Sequence, residues 1–141
     1  MEYTTHSPEQ TEALGIDYAK TLRPGDIVAF SGDLGAGKTA FARGVLRGLG
    51  YQGRVTSPTF AIANEYDTPA GAVAHFDLYR LPDSEALVEI GFDEYLDGSR
   101  IVLIEWSEHA VDMLPKTHKT VHICYGSDEN TRVITLGEVS A

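Results

Sequence analysis

One cysteine, one tryptophan and four lysines stand among 141 residues, and no apolar run is longer than four. Each scarcity excludes something. The single thiol, Cys124, cannot form an intrachain disulfide. It falls in an alternating apolar stretch, where a buried thiol is expected rather than a nucleophile. Runs such as Ile101-Val102-Leu103-Ile104 fall far short of the ~20 apolar residues of a membrane-spanning helix. The start, Met1-Glu2-Tyr3, has neither the basic nor the apolar region of a signal peptide. A cytoplasmic protein with no membrane partner is expected. Basic charge is also scarce: 11 Lys and Arg face 21 Asp and Glu, for a net charge of −10. Nucleic-acid affinity comes largely from cations that neutralise phosphates. With no basic run, the chain alone should bind neither DNA nor RNA well. Its acidic surface suits a basic protein partner or simply maintains solubility.

What is present suffices for one domain, residues 1–141, around one core. Ser7-Pro8-Glu9-Gln10 has the form of a capping box, and Leu14, Tyr18 and Leu22 follow at helical spacing until Pro24-Gly25. Ile27 to Phe30 reads as a buried strand. Phe41, Ala42, Val45, Leu46 and Leu49 form the apolar face of a helix ended by Gly48 and Gly50. Thr59–Tyr66 and Ala72–Leu78 read as strands joined by the turn Asp67-Thr68-Pro69-Ala70-Gly71. Helices are expected from Pro82 to near Gly91 and from Glu108 to Leu114, with a strand at Ile101–Glu105. Thr120–Tyr125 and Thr131–Leu136 form a second hairpin, within about 118–137. The element order predicts a three-layer α/β P-loop NTPase fold with a mixed parallel and antiparallel central sheet.

The segment Gly32-Asp33-Leu34-Gly35-Ala36-Gly37-Lys38-Thr39 matches the phosphate-loop pattern, the Walker A motif, without a gap. Its glycines allow backbone N–H groups to converge on phosphate oxygens, and the next helix adds its positive end. Lys38 brings a full charge to the outer phosphates, and the Thr39 hydroxyl is a ligand for Mg²⁺. The nucleotide-binding set is thus Gly35, Ala36, Gly37, Lys38, Thr39 and Ala40.

A P-loop ATPase also needs an acid at the end of another strand, to hold Mg²⁺ or orient the attacking water. Two candidates exist. Glu105 follows four apolar residues, as expected of a buried strand delivering an acid to the sheet's carboxyl edge. Asp77 ends Ala72-Val73-Ala74-His75-Phe76 and shares one strand face with His75 and Tyr79. Arg80 is either a stabiliser of phosphoryl charge or a surface ion pair. Trp106, beside Glu105, reads as a core or interface residue. Ser57-Pro58-Thr59 stands where switch segments follow the P-loop helix, or is a simple turn.

These segments together resemble the bacterial TsaE (YjeE) ATPase family of tRNA threonylcarbamoyladenosine synthesis. The resemblance is carried by the loop Gly32 to Thr39, by Ser57-Pro58-Thr59-Phe60, by His75-Phe76-Asp77-Leu78-Tyr79-Arg80 and by Leu103-Ile104-Glu105-Trp106, across about residues 7 to 115. It implies that the chain works with the proteins TsaB and TsaD, which attach threonylcarbamoyl to the adenosine next to the anticodon. ATP binding and slow hydrolysis would reset that complex, and tRNA would be met only through it. The resemblance also implies that Thr39 and Glu105 hold Mg²⁺, that Asp77 serves hydrolysis and that Trp106 adjoins the nucleotide. Ser57, Pro58, Thr59 and Phe60 would act as a switch, and a residue near Pro8 to Thr11 would touch adenine.

Three other functions compete. A GTPase needs Asn-Lys-x-Asp and Asp-x-x-Gly; Asn64-Glu65-Tyr66-Asp67 has Glu for Lys, and Asp-x-x-Gly is missing. A small-molecule kinase needs an acceptor pocket and usually a basic lid, and no Arg-rich segment stands out. A non-hydrolysing regulatory module would keep Lys38 and Thr39 without turnover.

Overall fold

Ile101–Glu105 is buried at every position, as expected of a strand covered on both faces. In the computed structural model it lies inside a seven-stranded sheet. The described residues are 1–32, 38–53, 63–77, 92–96, 98–105 and 117–139. In chain order they form β1 (Glu2–Thr5), α1 (Pro8–Ala19), β2 (Ile27–Gly32), α2 (Lys38–Gly48), β3 (Ala63–Thr68), β4 (Gly71–Asp77), a 3₁₀ turn (Phe92–Leu96), β5 (Ile101–Glu105), β6 (His118–Tyr125) and β7 (Arg132–Val139). The strand order is β1-β7-β6-β2-β5-β4-β3. The neighbours β6, β2, β5 and β4 run parallel, and β1/β7, β6/β7 and β3/β4 pair antiparallel. This is the mixed α/β sheet expected from the element order. The helices expected at 82–91 and 108–114, and residues 59–62 of the expected strand, lie outside the described residues.

One core joins α1 and α2 to one sheet face. Val28, Phe30, Val73, Ile101, Leu103, Val121, Ile123 and Ile134 meet Phe41, Val45 and Leu46 of α2 and Ala19 of α1. On the alternate positions Ala29, Ala74, Phe76, Val102 and Ile104 are buried too. Part of that second face is closed by the 3₁₀ turn, whose Tyr95 ring packs edge-on against Phe76 at 5.0 Å.

Three details differ from the sequence reading. First, β1 was not expected. It pairs with β7 at the sheet edge, and the Thr5 and Thr11 hydroxyls, 2.7 Å apart and buried, tie it to α1. Second, Ser7 caps α1 by accepting from the Gln10 amide (3.1 Å), but Gln10 Oε1 accepts from His6 rather than Ser7 (2.7 Å). Third, α1 ends at Ala19; Thr21 and Leu22 close tight turns onto Tyr18 and Ala19, and Leu22 is buried from beyond the helix. The end of α2 is as expected: the Gly50 amide donates to Arg47 and the Tyr51 amide to Leu46, the double bond of a glycine-terminated helix.

The two helices touch backbone to backbone. A Cβ built on Gly44 would lie 2.1 Å from the Glu12 carbonyl oxygen, and one on Gly15 would lie 2.4 Å from that of Phe41. Alanine normally improves a helix interior over glycine by ~1 kcal/mol. Here it must push two backbones apart, and overpacking reaches ~3 kcal/mol where nothing can yield. Gly44→Ala should therefore lose about 2 kcal/mol net, read as a lower urea midpoint at unchanged slope. An equal or raised midpoint would contradict this packing.

Candidate functional site

The parallel strands β2, β5 and β4 end side by side. In register, Glu105 lies between Phe30 of β2 and Asp77 of β4. Two residues after Phe30, β2 ends at Gly32, and α2 begins at Lys38. The chain thus leaves the sheet at its carboxyl edge with Gly32, and α2 is the next described element. Gly32 has φ +124°, and a Cβ there would stand 1.8 Å from the Ile123 carbonyl oxygen. Only glycine lets β2 pass this close to β6 and turn. Just before it, Ser31 Oγ and His122 Nδ1 lie 2.9 Å apart, joining the end of β2 to β6.

Burying charge is costly unless it is compensated. Among the described side chains, Lys38, His75 and Glu105 are the only buried members of the Lys, Arg, Asp, Glu and His types. Two of them, His75 and Glu105, stand at or near the ends of neighbouring strands, and the third opens the helix that follows β2. Lys38, 5% exposed, opens α2; Glu105, 6% exposed, closes β5; His75, 0% exposed, stands two residues from the end of β4. His75 Nε2 and Glu105 Oε2 lie 2.9 Å apart. Thr39 is half-buried and Ala40 buried in the first turn of α2.

The structure brings together Glu105, His75 and the backbone of Asp77 at the ends of β5 and β4, and sets Lys38, Thr39 and Ala40 in the first turn of the helix that follows β2. Gly35, Ala36 and Gly37, the segment Ser57, Pro58, Thr59 and Phe60, and also Arg80 and Trp106, lie outside the described residues. The sequence pattern puts His75 on the face of Asp77 but does not pair it with Glu105; that contact depends on the register between β4 and β5.

The donor set bears on Mg²⁺. Among the described residues no three His, Cys, Asp or Glu side chains gather as a cage. A hydroxyl and a carboxylate, Thr39 and Glu105, are hard oxygen donors. Mg²⁺ habitually takes one or two protein oxygens and fills its shell with phosphate and water, so a sparse set of this kind fits a nucleotide-borne ion.

Comparison with known proteins shows the family. The family model for "Threonylcarbamoyl adenosine biosynthesis protein TsaE" matches residues 5–134. The chain belongs to the TsaE family. A tRNA threonylcarbamoyladenosine biosynthesis protein TsaE from Bacillus subtilis is 35% identical over 133 residues, covering 94% of this chain and 83% of that one. The Haemophilus influenzae TsaE is 46% identical over 102 residues, 72% of this chain and 65% of its own length. The crystal structure of Bacillus subtilis YdiB superimposes with a TM-score of 0.80 at 33% identity, covering all of this chain and 86% of that one. TsaE proteins take part in threonylcarbamoyladenosine biosynthesis. No helix among the described residues is long and apolar enough to cross a membrane.

Proposed function

We propose that this TsaE-family chain is a Mg²⁺-dependent ATPase that supports TsaB and TsaD in threonylcarbamoyl modification of the tRNA adenosine next to the anticodon. The observation that carries the reading is the burial of Lys38, which opens the helix following β2 in the Gly32–Thr39 motif, and of Glu105, which ends the strand beside β2. A buried cation at a helix amino end and a buried carboxylate on the adjoining strand are what a triphosphate with its metal requires. Gly35, Ala36, Gly37 and Ala40 offer backbone N–H groups to the phosphates, and Lys38 pairs with the outer phosphoryl oxygens. Thr39 and Glu105 would hold Mg²⁺, which when bound offsets phosphate charge. Asp77, opposite Glu105 in register, orients the attacking water. Ser57 to Phe60 form a switch that senses the γ-phosphate, Arg80 offsets phosphoryl charge, and Trp106 adjoins the nucleotide.

Turnover by the chain alone is slow, and hydrolysis resets the partner complex in the cytoplasm. With a net charge of −10 the chain meets tRNA through basic partners rather than directly. The test is sizing chromatography of the chain with TsaB and TsaD under ATP and under ADP, with phosphate release followed in parallel. Co-elution that differs between the nucleotides, with turnover raised by the partners, is expected. Absence of any complex in both states, or tight tRNA binding by the lone chain, would contradict the reading.

A further inference from the structure

We infer that His75 is the positioning residue of Glu105, the group that fixes one carboxylate oxygen from the core side and leaves the other for the metal's shell. The inference rests on the proposed metal role of Glu105. Glutamate at a strand end has three side-chain torsions, so a carboxylate that must meet an ion in one geometry needs a second contact to hold it. Carboxylates that serve metals commonly have such an outer partner, and its loss costs about 10–100-fold in metal affinity.

The geometry supplies that contact. In register, Asp77 lies directly opposite Glu105, and His75 lies opposite Leu103, two pairs deeper in the sheet. His75 thus reaches Glu105 diagonally, a distance that long side chains span across neighbouring strands. Its Nε2 is 2.9 Å from Oε2, and both side chains are buried. A carboxylate oxygen only accepts, so Nε2 carries the proton and donates. The other ring nitrogen, Nδ1, is buried with no hydrogen-bond partner among the described residues. Such an orphan is rare. If the buried ring only filled space in the core, an apolar side chain would do so without leaving a polar atom unmet. Among the described residues the one polar contact that His75 makes is with Glu105, and that contact accounts for an imidazole here.

The test uses the full chain with His75→Gln, His75→Asn and His75→Leu, beside Glu105→Ala, each checked for folding by thermal melting. Glutamine places an amide N–H near the position of Nε2; asparagine and leucine do not. The readout is the ratio of ADP affinities with and without Mg²⁺, measured by calorimetry. His75→Leu and His75→Asn should lose about tenfold of the Mg²⁺ enhancement, while His75→Gln should keep most of it. In metal-free, nucleotide-free protein, nitrogen NMR should show His75 protonated at Nε2 with a slowly exchanging proton that Glu105→Ala releases. Equal loss in the Gln and Leu variants would make His75 a packing residue and overturn the inference. So would an unchanged His75→Leu beside an impaired Glu105→Ala, or a proton on Nδ1. An unchanged Glu105→Ala would instead remove the metal role of Glu105, and the positioning role with it, while leaving the NMR signature in place.

Discussion

Lys38→Ala is expected to bind Mg·ATP about 100-fold more weakly than the native chain, a loss of ~2.7 kcal/mol. Lys38 is the only lysine of the Gly32–Thr39 motif and is buried at the start of α2. A cation with little water around it interacts strongly with a triphosphate, because water no longer screens the pair. Hydrogen bonds to charged groups contribute about 1.5–3 kcal/mol each, which is the scale expected here. The helix amino end and the backbone amides of the loop remain in the variant, so the loss is large but not total. Lys38→Arg is a useful companion. Its planar fork replaces a compact ammonium, and it should recover little of the affinity if the buried space is shaped for lysine. An unchanged dissociation constant for Lys38→Ala would detach the loop from nucleotide binding.

Asp77→Ala is expected to lower the hydrolysis rate about 100-fold while ATP affinity stays within about threefold. The asymmetry follows from place. Asp77 ends β4 directly opposite Glu105, but the contact that holds Glu105 comes from His75, two pairs deeper. A group that orients water acts mainly in the transition state, so its loss appears in turnover and not in binding. Glu105→Ala should show the opposite pattern, with a weakened Mg²⁺ dependence of binding. If Asp77→Ala removed the Mg²⁺ dependence and Glu105→Ala did not, the two roles would be exchanged.

Much of this site could be read from local pattern. The strand Ile101–Glu105, the helix after the loop and both hairpins are encoded in contiguous residues, through apolar runs, helical spacing and turn chemistry. The mixed sheet followed from their order. What escaped depends on partners distant in the chain. β1 is four residues, Glu-Tyr-Thr-Thr, with no apolar alternation; it is a strand because Thr5 to Glu2 find Arg132 to Thr135 of β7, more than a hundred residues away. Leu22 keeps helical spacing yet lies past the end of α1, because tight turns after Ala19 carry it into the same core. The contact between His75 and Glu105 depends on the stagger between β4 and β5, and a one-residue slip would break it. In the sequence, histidine two residues before an aspartate says nothing of a glutamate thirty residues later.

The central claim is that this chain holds ATP with Mg²⁺ at the carboxyl edge of β2 and β5. Its most direct test is a calorimetric titration of the native chain with ATP, with and without Mg²⁺, and with GTP as the comparison. Saturable binding at a single site, tighter with Mg²⁺ than without it, and weaker binding of GTP are expected. A folded chain that shows no saturable ATP binding at millimolar nucleotide, or binds ATP equally well with and without Mg²⁺, would contradict it.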